Sequence, residues 1–335
     1  MNKTSIEWCD FTANPIRYRD AEGKSVWACV KASEGCQHCY AEALAHRYQG
    51  REFTARAMEG VTPYVDEREL KAMLSPTKLP SGSTVFVGDM TDMFGPWVPF
   101  ELLDRVFAVF VLRPDVVFQL LTKRPKRMRE YLGAAATEMH IAGTGRVDQP
   151  SPWPLPNVWL GVSAEDQHWA DVRIPELLAT PAAVRFVSAE PLLGPLELER
   201  LIHDSDCVSI NDYYPDDQVC YCNEPREDHI SWVIVGGESG PGARPCDVGW
   251  IRSIVSQCKA AGTKVFVKQL GARPYAALTE GDAFPPTGMT GARYTLKHDD
   301  PTEAAIYPVL KSRKGGDMDE WPEDLRVREW PGGDA

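Results

Sequence analysis

The sequence predicts an α/β fold, and three observations lead to this prediction. Short apolar runs, rich in Val, Ile and Phe and without alternation, recur along the chain. Stretches with helical periodicity lie between these runs, and each run ends in polar or glycine-rich residues. Strands that are buried on both faces have this composition, so the pattern indicates a largely parallel sheet with helices between its strands.

The strands and helices are expected to alternate along the chain. The first strand is expected at 5–9, SIEWC. The other strands are expected to begin the segments TVFVGDMTD at 84–92, VVFQLLTKRP at 116–125, VWLGVSAED at 158–166, VRFVSAEPLLG at 184–194, WVIVGGESG at 232–240 and KVFVKQLG at 264–271. The candidate helices are YAEALAHRY at 40–48, FELLDRVFAVFVL at 100–112, RMREYLGAAATEM at 127–139, VRIPELLAT at 172–180 and WIRSIVSQCKAAG at 250–262.

These elements favour a partial (β/α)6 TIM-like barrel, because each strand ends in residues that can do chemistry and such ends converge on one face of a barrel. A doubly wound open sheet is the alternative, and periodicity does not separate the two. The barrel is expected to span 1–272, with a polar, cysteine-bearing loop insertion at 203–230. Residues 273–335 are expected to form an irregular C-terminal tail.

Composition narrows the class of protein. The chain has 335 residues and a net charge of −12, which argues against nonspecific coating of nucleic acid. The basic run KRPKRMR at 123–129 either lines a local groove or is a solvated helix face. No run approaches the roughly 18 apolar residues of a membrane-spanning helix, and the first residues lack the apolar segment of a signal peptide. We therefore expect a cytoplasmic protein without a membrane partner.

Three cysteines lie close together in CVKASEGCQHCY at 29–40. Cys36 and Cys39 form a C-x-x-C pair that can chelate a metal, and Gly35 permits the tight turn that chelation requires. With Cys29, three thiolates on a [4Fe-4S] cluster would leave one iron open for a ligand. A zinc site completed by a further ligand and a redox-active thiol pair are the alternatives. The further zinc ligand would be His38, His46 or Cys9.

Many segments together resemble an uncharacterised, phage-associated family with a three-cysteine motif, which is generally placed in the radical S-adenosylmethionine (SAM) superfamily. The resemblance covers about 1–272, with a looser match at 311–322. The segments that carry it are SIEWCDFTANP, GCQHCYAEALAHR, VFVGDMTDMFG, LLTKRP, NVWLGVSAEDQ, RIPELL, VRFVSAEPLLG, WVIVGGESGPGARP, VFVKQLG and KSRKGGDMDEWP.

The resemblance implies that Cys29, Cys36 and Cys39 hold a [4Fe-4S] cluster whose open iron binds SAM. The cysteine spacing departs from the usual one, with six residues in the first gap where the superfamily has three. An electron donor such as flavodoxin or ferredoxin is the implied partner. The implied SAM contacts are His38 near the adenine, Asp89 and Asp92 at the amino group, and Ser163 and Glu165 at the ribose hydroxyls.

The glycine-rich segment 236–240 contains Gly236, Gly237 and Glu238 at the end of a predicted strand. The glycines are suited to a close-approach turn beneath the adenine or the substrate, or to a tight turn from strand to helix.

Polar residues at other strand ends are candidates for substrate chemistry. Lys123 and Arg124 are expected to bind a carboxylate or phosphate, and Glu190 or Lys268 to exchange protons; a buried salt-bridge network is the alternative. The phage association favours a nucleotide or nucleic-acid base as substrate. Tryptophans that would stack on bases, or else belong to the core, are Trp97, Trp153, Trp159 and Trp169.

The insertion contains a second set of soft ligands, Cys207, Cys220, Cys222 and His229. This set is a candidate zinc site, with an auxiliary cluster or no metal as alternatives. Taken together, the sequence predicts a radical SAM enzyme that cleaves SAM and abstracts hydrogen from a substrate. A noncatalytic iron–sulfur or zinc module that binds DNA or a protein partner is the alternative function.

Overall fold

The protein is a mixed α/β chain with two compact units. The computed structural model describes residues 1–134, 152–198, 229–277, 294–297, 305–308 and 310–332. The first unit comprises Met1–Ser163 and Pro175–Arg185, and the second comprises Ala164–Ile174 and Phe186–Ala335. Within these described ranges the strands form no closed barrel, and no helix is long and apolar enough to cross a membrane.

The described strands, in chain order, are β1 (Asn2–Lys3), β2 (Phe11–Ala13), β3 (Ile16–Arg19), β4 (Ser25–Val26), β5 (Thr62–Val65), β6 (Thr84–Val87), β7 (Val117–Thr122), β8 (Val158–Ser163), β9 (Val184–Ala189), β10 (Trp232–Gly236), β11 (Cys246–Asp247), β12 (Lys264–Gln269), β13 (Pro274–Ala277), β14 (Tyr294–Lys297) and β15 (Ala305–Pro308). The described α-helices are α1 (Tyr40–Gln49), α2 (Ala55–Glu59), α3 (Glu67–Leu74), α4 (Phe100–Leu112), α5 (Pro125–Leu132), α6 (Gln167–Leu178) and α7 (Val248–Ala261).

In the first unit, β2, β6, β7 and β8 are parallel neighbours, and β1 pairs with β2 in the antiparallel sense. Strands β6 to β8 are almost entirely buried, which is why they read as unbroken apolar runs. Helix α4 covers part of the sheet, with Phe110 stacked on Phe118 of β7 at 4.4 Å between ring centroids. A small antiparallel sheet has the order β4-β3-β5. Because the large strands are parallel, the polar residues that follow them lie at one edge of the sheet.

In the second unit, β9, β10 and β12 are parallel neighbours. The segment 326–329 adds main-chain hydrogen bonds along β12, from Val267 N to Val327 O at 2.9 Å and from Glu329 N to Val265 O at 3.0 Å. A second sheet has the order β11-β13-β15-β14. The C-terminal segment is anchored by Trp321, which is fully buried.

Glycines of the second unit allow three backbone segments to meet. A Cβ at Gly237 would lie 2.4 Å from Leu270 O, and a Cβ at Gly315 would lie 2.3 Å from Gly271 O. Gly271 and Gly315 also have positive φ angles, of 91° and 65°. Real Cβ atoms do not approach so closely, so only glycine permits this contact between the loop after β10, the end of β12 and the C-terminal segment.

The structure confirms the predicted α/β class and the six later apolar runs, each of which begins with a strand. It also confirms the helices expected at 40–48, 100–112, 172–180 and 250–262. The helix expected at 127–139 is α5, but its predicted end was wrong, because α5 ends at Leu132 and Gly133 caps it; residues 135–139 lie outside the described ranges. The strand expected at 5–9 was wrong. Residues 7 and 8 form a turn, and the strand is Phe11–Ala13, where all three residues are buried. The tail was expected to be irregular, but β13, β14 and β15 lie within it.

Candidate metal centre

The three cysteines lie around the start of α1 in the first unit. Cys36 ends a short 3-10 turn, Glu34–Cys36, and Cys39 immediately precedes α1. All three thiols are free and half-buried. Cys29 and Cys39 both pack against an apolar cluster formed by Ala41, Ala45, Phe53 and Met90. The first and the last cysteine of the motif therefore contact the same apolar cluster.

The surroundings of the cysteines control their protonation. Burial raises the pKa of the Cys29 thiol to about 12; the Asp92 carboxylate adds to this increase, while the Asp92 amide and the Arg124 guanidinium oppose it. Burial also raises the pKa of Cys39, and the backbone N–H groups of Glu42 and Ala41 at the start of α1 oppose the rise. Thiols of this kind stay protonated near neutral pH, so a metal that binds them has to displace their protons.

The loop between Cys29 and Cys36 is held by polar contacts. The Ala32 N–H donates to Cys36 Sγ at 3.5 Å. Lys31 in this loop pairs with Glu42 of α1 at 2.8 Å. Among the described residues, no three His, Cys, Asp or Glu side chains already stand in a metal-binding arrangement.

The chemistry of the donor set fits a soft metal centre. Three free thiols from one short segment are typical ligands of iron–sulfur clusters and zinc. Lys31 and Arg124 bring positive charge to this segment. The hydrogen bond to Glu42 is the main cause that raises the pKa of Lys31, and Cys39 and Cys36 add to the rise, while Arg124 lowers the pKa of Cys29. These cations would offset the negative charge of three thiolates.

Asp89 faces the start of α1 from the end of β6. Its Oδ1 accepts a hydrogen bond from Asn14 Nδ2, and its Oδ2 accepts one from the Tyr40 hydroxyl at 3.2 Å. The same hydroxyl donates to Asp89 O at 2.7 Å, and Tyr40 is 51 % exposed. Burial raises the pKa of the Asp89 carboxyl, and the bonds from Asn14 and Tyr40 oppose the rise. The Asp89 carboxylate is thus hydrogen-bonded to Tyr40, the residue that follows Cys39 in the chain.

The Asp92 carboxylate differs from that of Asp89, because both of its oxygens accept hydrogen bonds from neighbouring loops and from the end of β7. Its Oδ1 accepts from Thr122 Oγ1 at 2.7 Å and from Phe94 N at 3.0 Å. Its Oδ2 accepts from Lys123 N at 3.1 Å and from Arg124 NH1 at 3.2 Å. With four donors bound, Asp92 joins the ends of β6 and β7 and has little capacity left for a ligand. Its predicted contact with the SAM amino group stays a prediction.

The basic run 123–129 is bound largely within the first unit. The Arg124 guanidinium donates to Val30 O at 2.8 Å, and Arg127 donates to Val98 O at 2.6 Å. Arg129 pairs with Glu176 at 2.9 Å, and Lys123 is half-buried. These contacts give Arg124, Arg127 and Arg129 partners within the first unit.

The four tryptophans that were candidates for base stacking differ in exposure. Trp159 of β8 is 9 % exposed and belongs to the core. Trp97 and Trp169 each carry an arginine over the ring, Arg124 at 4.7 Å and Arg173 at 4.0 Å. Trp153 is half-buried.

In the second unit, Glu190 and Lys268 form an ion pair of 3.1 Å. Their side chains are 14 % and 23 % exposed, so the pair is partly accessible. A Cβ at Gly236 would lie 2.6 Å from Glu190 Oε1. Gly236 therefore leaves room for the Glu190 carboxylate at this position. The ion pair corresponds to the salt-bridge alternative for Glu190 and Lys268, and their proton exchange stays a prediction.

Two further strand-end carboxylates of this unit are bound by arginines. Glu238 accepts from Arg244 NH2 at 2.6 Å and from Arg244 Nε at 2.9 Å. Glu165 accepts from Arg173 NH1 at 2.8 Å, and both side chains are essentially inaccessible, at 0 % and 1 %. Each of these carboxylates is thus held by an arginine of the same unit. Glu165 has to leave its pair before it can contact a ribose, and this role stays a prediction.

The remaining predicted residues differ in accessibility. His38 is exposed next to Cys39, whereas Ser163 at the end of β8 is 4 % exposed. His229 is exposed, with its Nε2 3.4 Å from Ser231 Oγ. Cys207, Cys220 and Cys222 lie outside the described residues, so the candidate zinc site of the insertion stays a prediction.

Sequence reasoning missed several residues of this site. Asn14 follows β2 as Asp89 follows β6, but the misplaced first strand hid this correspondence. Tyr18 was also missed; its hydroxyl accepts a hydrogen bond from Trp97 Nε1 at 2.8 Å. Tyr18 belongs to the small antiparallel sheet, which has no parallel-strand signal.

Comparison with known proteins places the chain in a family. No curated protein and no solved structure matches the chain. The sequence profile of a family described as "Protein of unknown function (DUF5131)" matches residues 3–319, nearly the whole chain. The chain therefore belongs to the DUF5131 family.

Proposed function

We propose that this chain is a radical SAM enzyme that abstracts hydrogen from a nucleotide or nucleic-acid base. The observation that carries the proposal is the set of three free thiols around the start of α1. Residues adjacent to these cysteines are hydrogen-bonded to the polar ends of two strands, Tyr40 to Asp89 after β6 and Val30 to Arg124 after β7. Three thiolates suit a [4Fe-4S] cluster that keeps one iron open for a ligand. The resemblance seen in the sequence supports the same reading and implies a partial (β/α)6 barrel.

Cys29, Cys36 and Cys39 would hold the cluster, and Lys31 and Arg124 would offset the charge of their thiolates. When bound, the cluster would supply the electron that cleaves SAM, giving the 5'-deoxyadenosyl radical that removes hydrogen from the substrate. The chain itself would orient the reactants and exclude water.

Asp89 is the carboxylate best placed to accept hydrogen bonds from the SAM amino group. Its other bonds come from Asn14 and Tyr40, which fix its orientation next to Cys39. Asp92 would act indirectly, because its oxygen atoms hold the ends of β6 and β7 together. The other proposed SAM contacts are His38, Ser163, Glu165 and residues 236–238.

Lys123 is proposed to bind a carboxylate or phosphate of the substrate, and Glu190 or Lys268 to exchange protons with it. The ion pair of Glu190 and Lys268 supports this role, because its partly accessible groups can give and take a proton. The proposed electron donor is flavodoxin or ferredoxin. The substrate class rests on the sequence resemblance, since the arginines of the basic run are bound within the protein.

The noncatalytic iron–sulfur or zinc module remains the second candidate, and one observation favours it. Two of the polar strand ends expected in an active site, Glu165 and Glu238, form internal ion pairs with Arg173 and Arg244. A binding module needs only such structural pairs.

The two functions are separated by SAM cleavage. After anaerobic reconstitution, the protein is incubated with SAM and dithionite, and 5'-deoxyadenosine is measured. The enzyme proposal expects product in the wild type and in Cys258→Ala, a core cysteine of the second unit, but none in Cys36→Ala. Cluster-loaded protein that leaves SAM intact would overturn the proposal and favour the binding module.

A further inference from the structure

Arg124 connects the cysteine loop to the rest of the first unit. Its NH2 donates to Val30 O at 2.8 Å, at the residue that directly follows Cys29. Its NH1 pairs with Asp92 Oδ2 at 3.2 Å, and the two side chains are 18 % and 10 % exposed. One guanidinium thus joins the loop after Cys29 to the loop after β6.

Arg124 is itself fixed on its remaining sides. Its backbone N–H donates to Thr122 Oγ1 at 2.9 Å, and its guanidinium lies 4.7 Å from the ring centroid of Trp97. Trp97 is held in turn by the buried Tyr18 hydroxyl at 2.8 Å. These contacts restrict the conformations of the Arg124 side chain, and its hydrogen bond to Val30 O restricts the backbone at Val30 as well.

The same network reaches the Cys29 segment from its other side. Tyr18 shares a 3.0 Å hydrogen bond with Thr91, and Thr91 Oγ1 donates to Ala28 O at 2.8 Å. The residues before and after Cys29 are therefore both bound to one network that includes Arg124. The long gap between Cys29 and Cys36 leaves the first cysteine without support from the C-x-x-C turn, and this network replaces that support.

We propose that Arg124 is a positioning residue that sets the place of the Cys29 sulfur in the metal centre. The inference rests on the part of the proposed function that makes the three cysteines metal ligands. The planar guanidinium can bond Val30 and Asp92 at once, whereas a lysine ammonium replaces the charge without the fork. Groups that orient metal ligands in this way typically account for roughly 10- to 100-fold in metal affinity.

The test is a titration of the full-length reduced protein with Co²⁺, which gives a thiolate-to-cobalt absorption band. The variants are Arg124→Gln and Arg124→Lys, with Arg127→Gln as the matched control. Arg127 also bonds a backbone carbonyl, Val98 O, and lies over an aromatic ring, Phe100 at 4.4 Å, but it contacts none of the cysteines' neighbours named above. The band that belongs to the triplet is the part that disappears in Cys36→Ala.

We expect Arg124→Gln to weaken cobalt binding by roughly 10- to 100-fold and to reduce the band toward that of Cys29→Ala. Arg124→Lys should recover part of the affinity, and Arg127→Gln should bind like the wild type. Thermal unfolding shows whether each variant is folded. If Arg124→Gln does not fold, the comparison of Arg124→Lys with the wild type still tests the inference.

Three results would overturn the inference. They are wild-type affinity in both Arg124 variants, equal weakening in the Arg127 control, and a wild-type protein without any cobalt band from the triplet. The cobalt titration and the SAM-cleavage assay test different proposals. If cobalt binding changes as expected but SAM is not cleaved, the enzyme proposal fails and the positioning role of Arg124 stands. If SAM is cleaved but both Arg124 variants bind cobalt like the wild type, only the positioning role of Arg124 fails.

Discussion

Replacing Arg173 by methionine should strongly destabilise the second unit. The Arg173 guanidinium pairs with Glu165 at 2.8 Å, and the side chains are 1 % and 0 % exposed. Arg173→Met would leave the Glu165 carboxylate buried without its cation, which typically costs about 3–5 kcal/mol. The guanidinium also lies 4.0 Å from the Trp169 ring, and the loss of this contact adds about 1 kcal/mol. We therefore expect the free energy of unfolding to fall by about 4–6 kcal/mol.

A double variant tests the reason for this loss. Glu165→Leu with Arg173→Met removes both charges and keeps an apolar interior, so most of the lost stability should return. Urea unfolding at neutral pH, followed by circular dichroism, measures the single and double variants side by side. A loss below about 1 kcal/mol for Arg173→Met, or a double variant no more stable than the single one, would refute the reasoning. Unchanged SAM affinity in the folded double variant would also exclude Glu165 as a ribose contact.

Two further substitutions test other parts of the fold. Gly315→Ala should lower the thermal stability by more than Gly262→Ala, because both glycines have a positive φ but only a Cβ at 315 would lie 2.3 Å from Gly271 O. This overpacking should cost about 1–3 kcal/mol in addition to the backbone strain that both variants share. Equal shifts of the two melting temperatures would contradict the close contact. Asp115→Asn should destabilise the protein at neutral pH, because hydrogen bonds from Arg113 hold the pKa of the Asp115 carboxyl below its usual value. The stabilisation by the ionised Asp115 carboxylate is present above its unfolded-state pKa and is lost as the pH falls through its folded-state pKa. The melting temperatures of the wild type and the variant should therefore converge in acid. A difference between them that stays constant with pH would contradict this prediction.

The sequence predicted the parallel strands and long helices because burial on both faces leaves a continuous apolar run. Helix Phe100–Leu112 has the predicted bounds, and the strand Val117–Thr122 lies inside its predicted run. The same signal is weak in short elements. The strand Phe11–Ala13 has only three residues. The apolar residues at 5–9, just before it, gave a stronger strand signal, so the strand was predicted there.

The site was predictable in its residue types but not in its pairings. Asp89 and Asp92 are alike in sequence, three residues apart after one strand. Their roles differ because β7 supplies donors to Asp92, while Asn14 and Tyr40 bind Asp89. Thr122 lies 30 residues from Asp92, Asn14 lies 75 residues from Asp89, and Tyr40 lies in a helix that the strand pattern does not place. Local sequence therefore identifies candidate ligands, and only tertiary packing decides which of them are already bound.

We propose that Cys29, Cys36 and Cys39 hold a cluster with one open iron, and Mössbauer spectroscopy of iron-57-reconstituted protein, recorded with and without SAM, tests this proposal. We expect about four irons per chain and a change at one of them when SAM is added, with both features lost in Cys36→Ala. Zinc alone at the three cysteines, or a cluster whose spectrum SAM leaves unchanged, would show that the proposal is wrong.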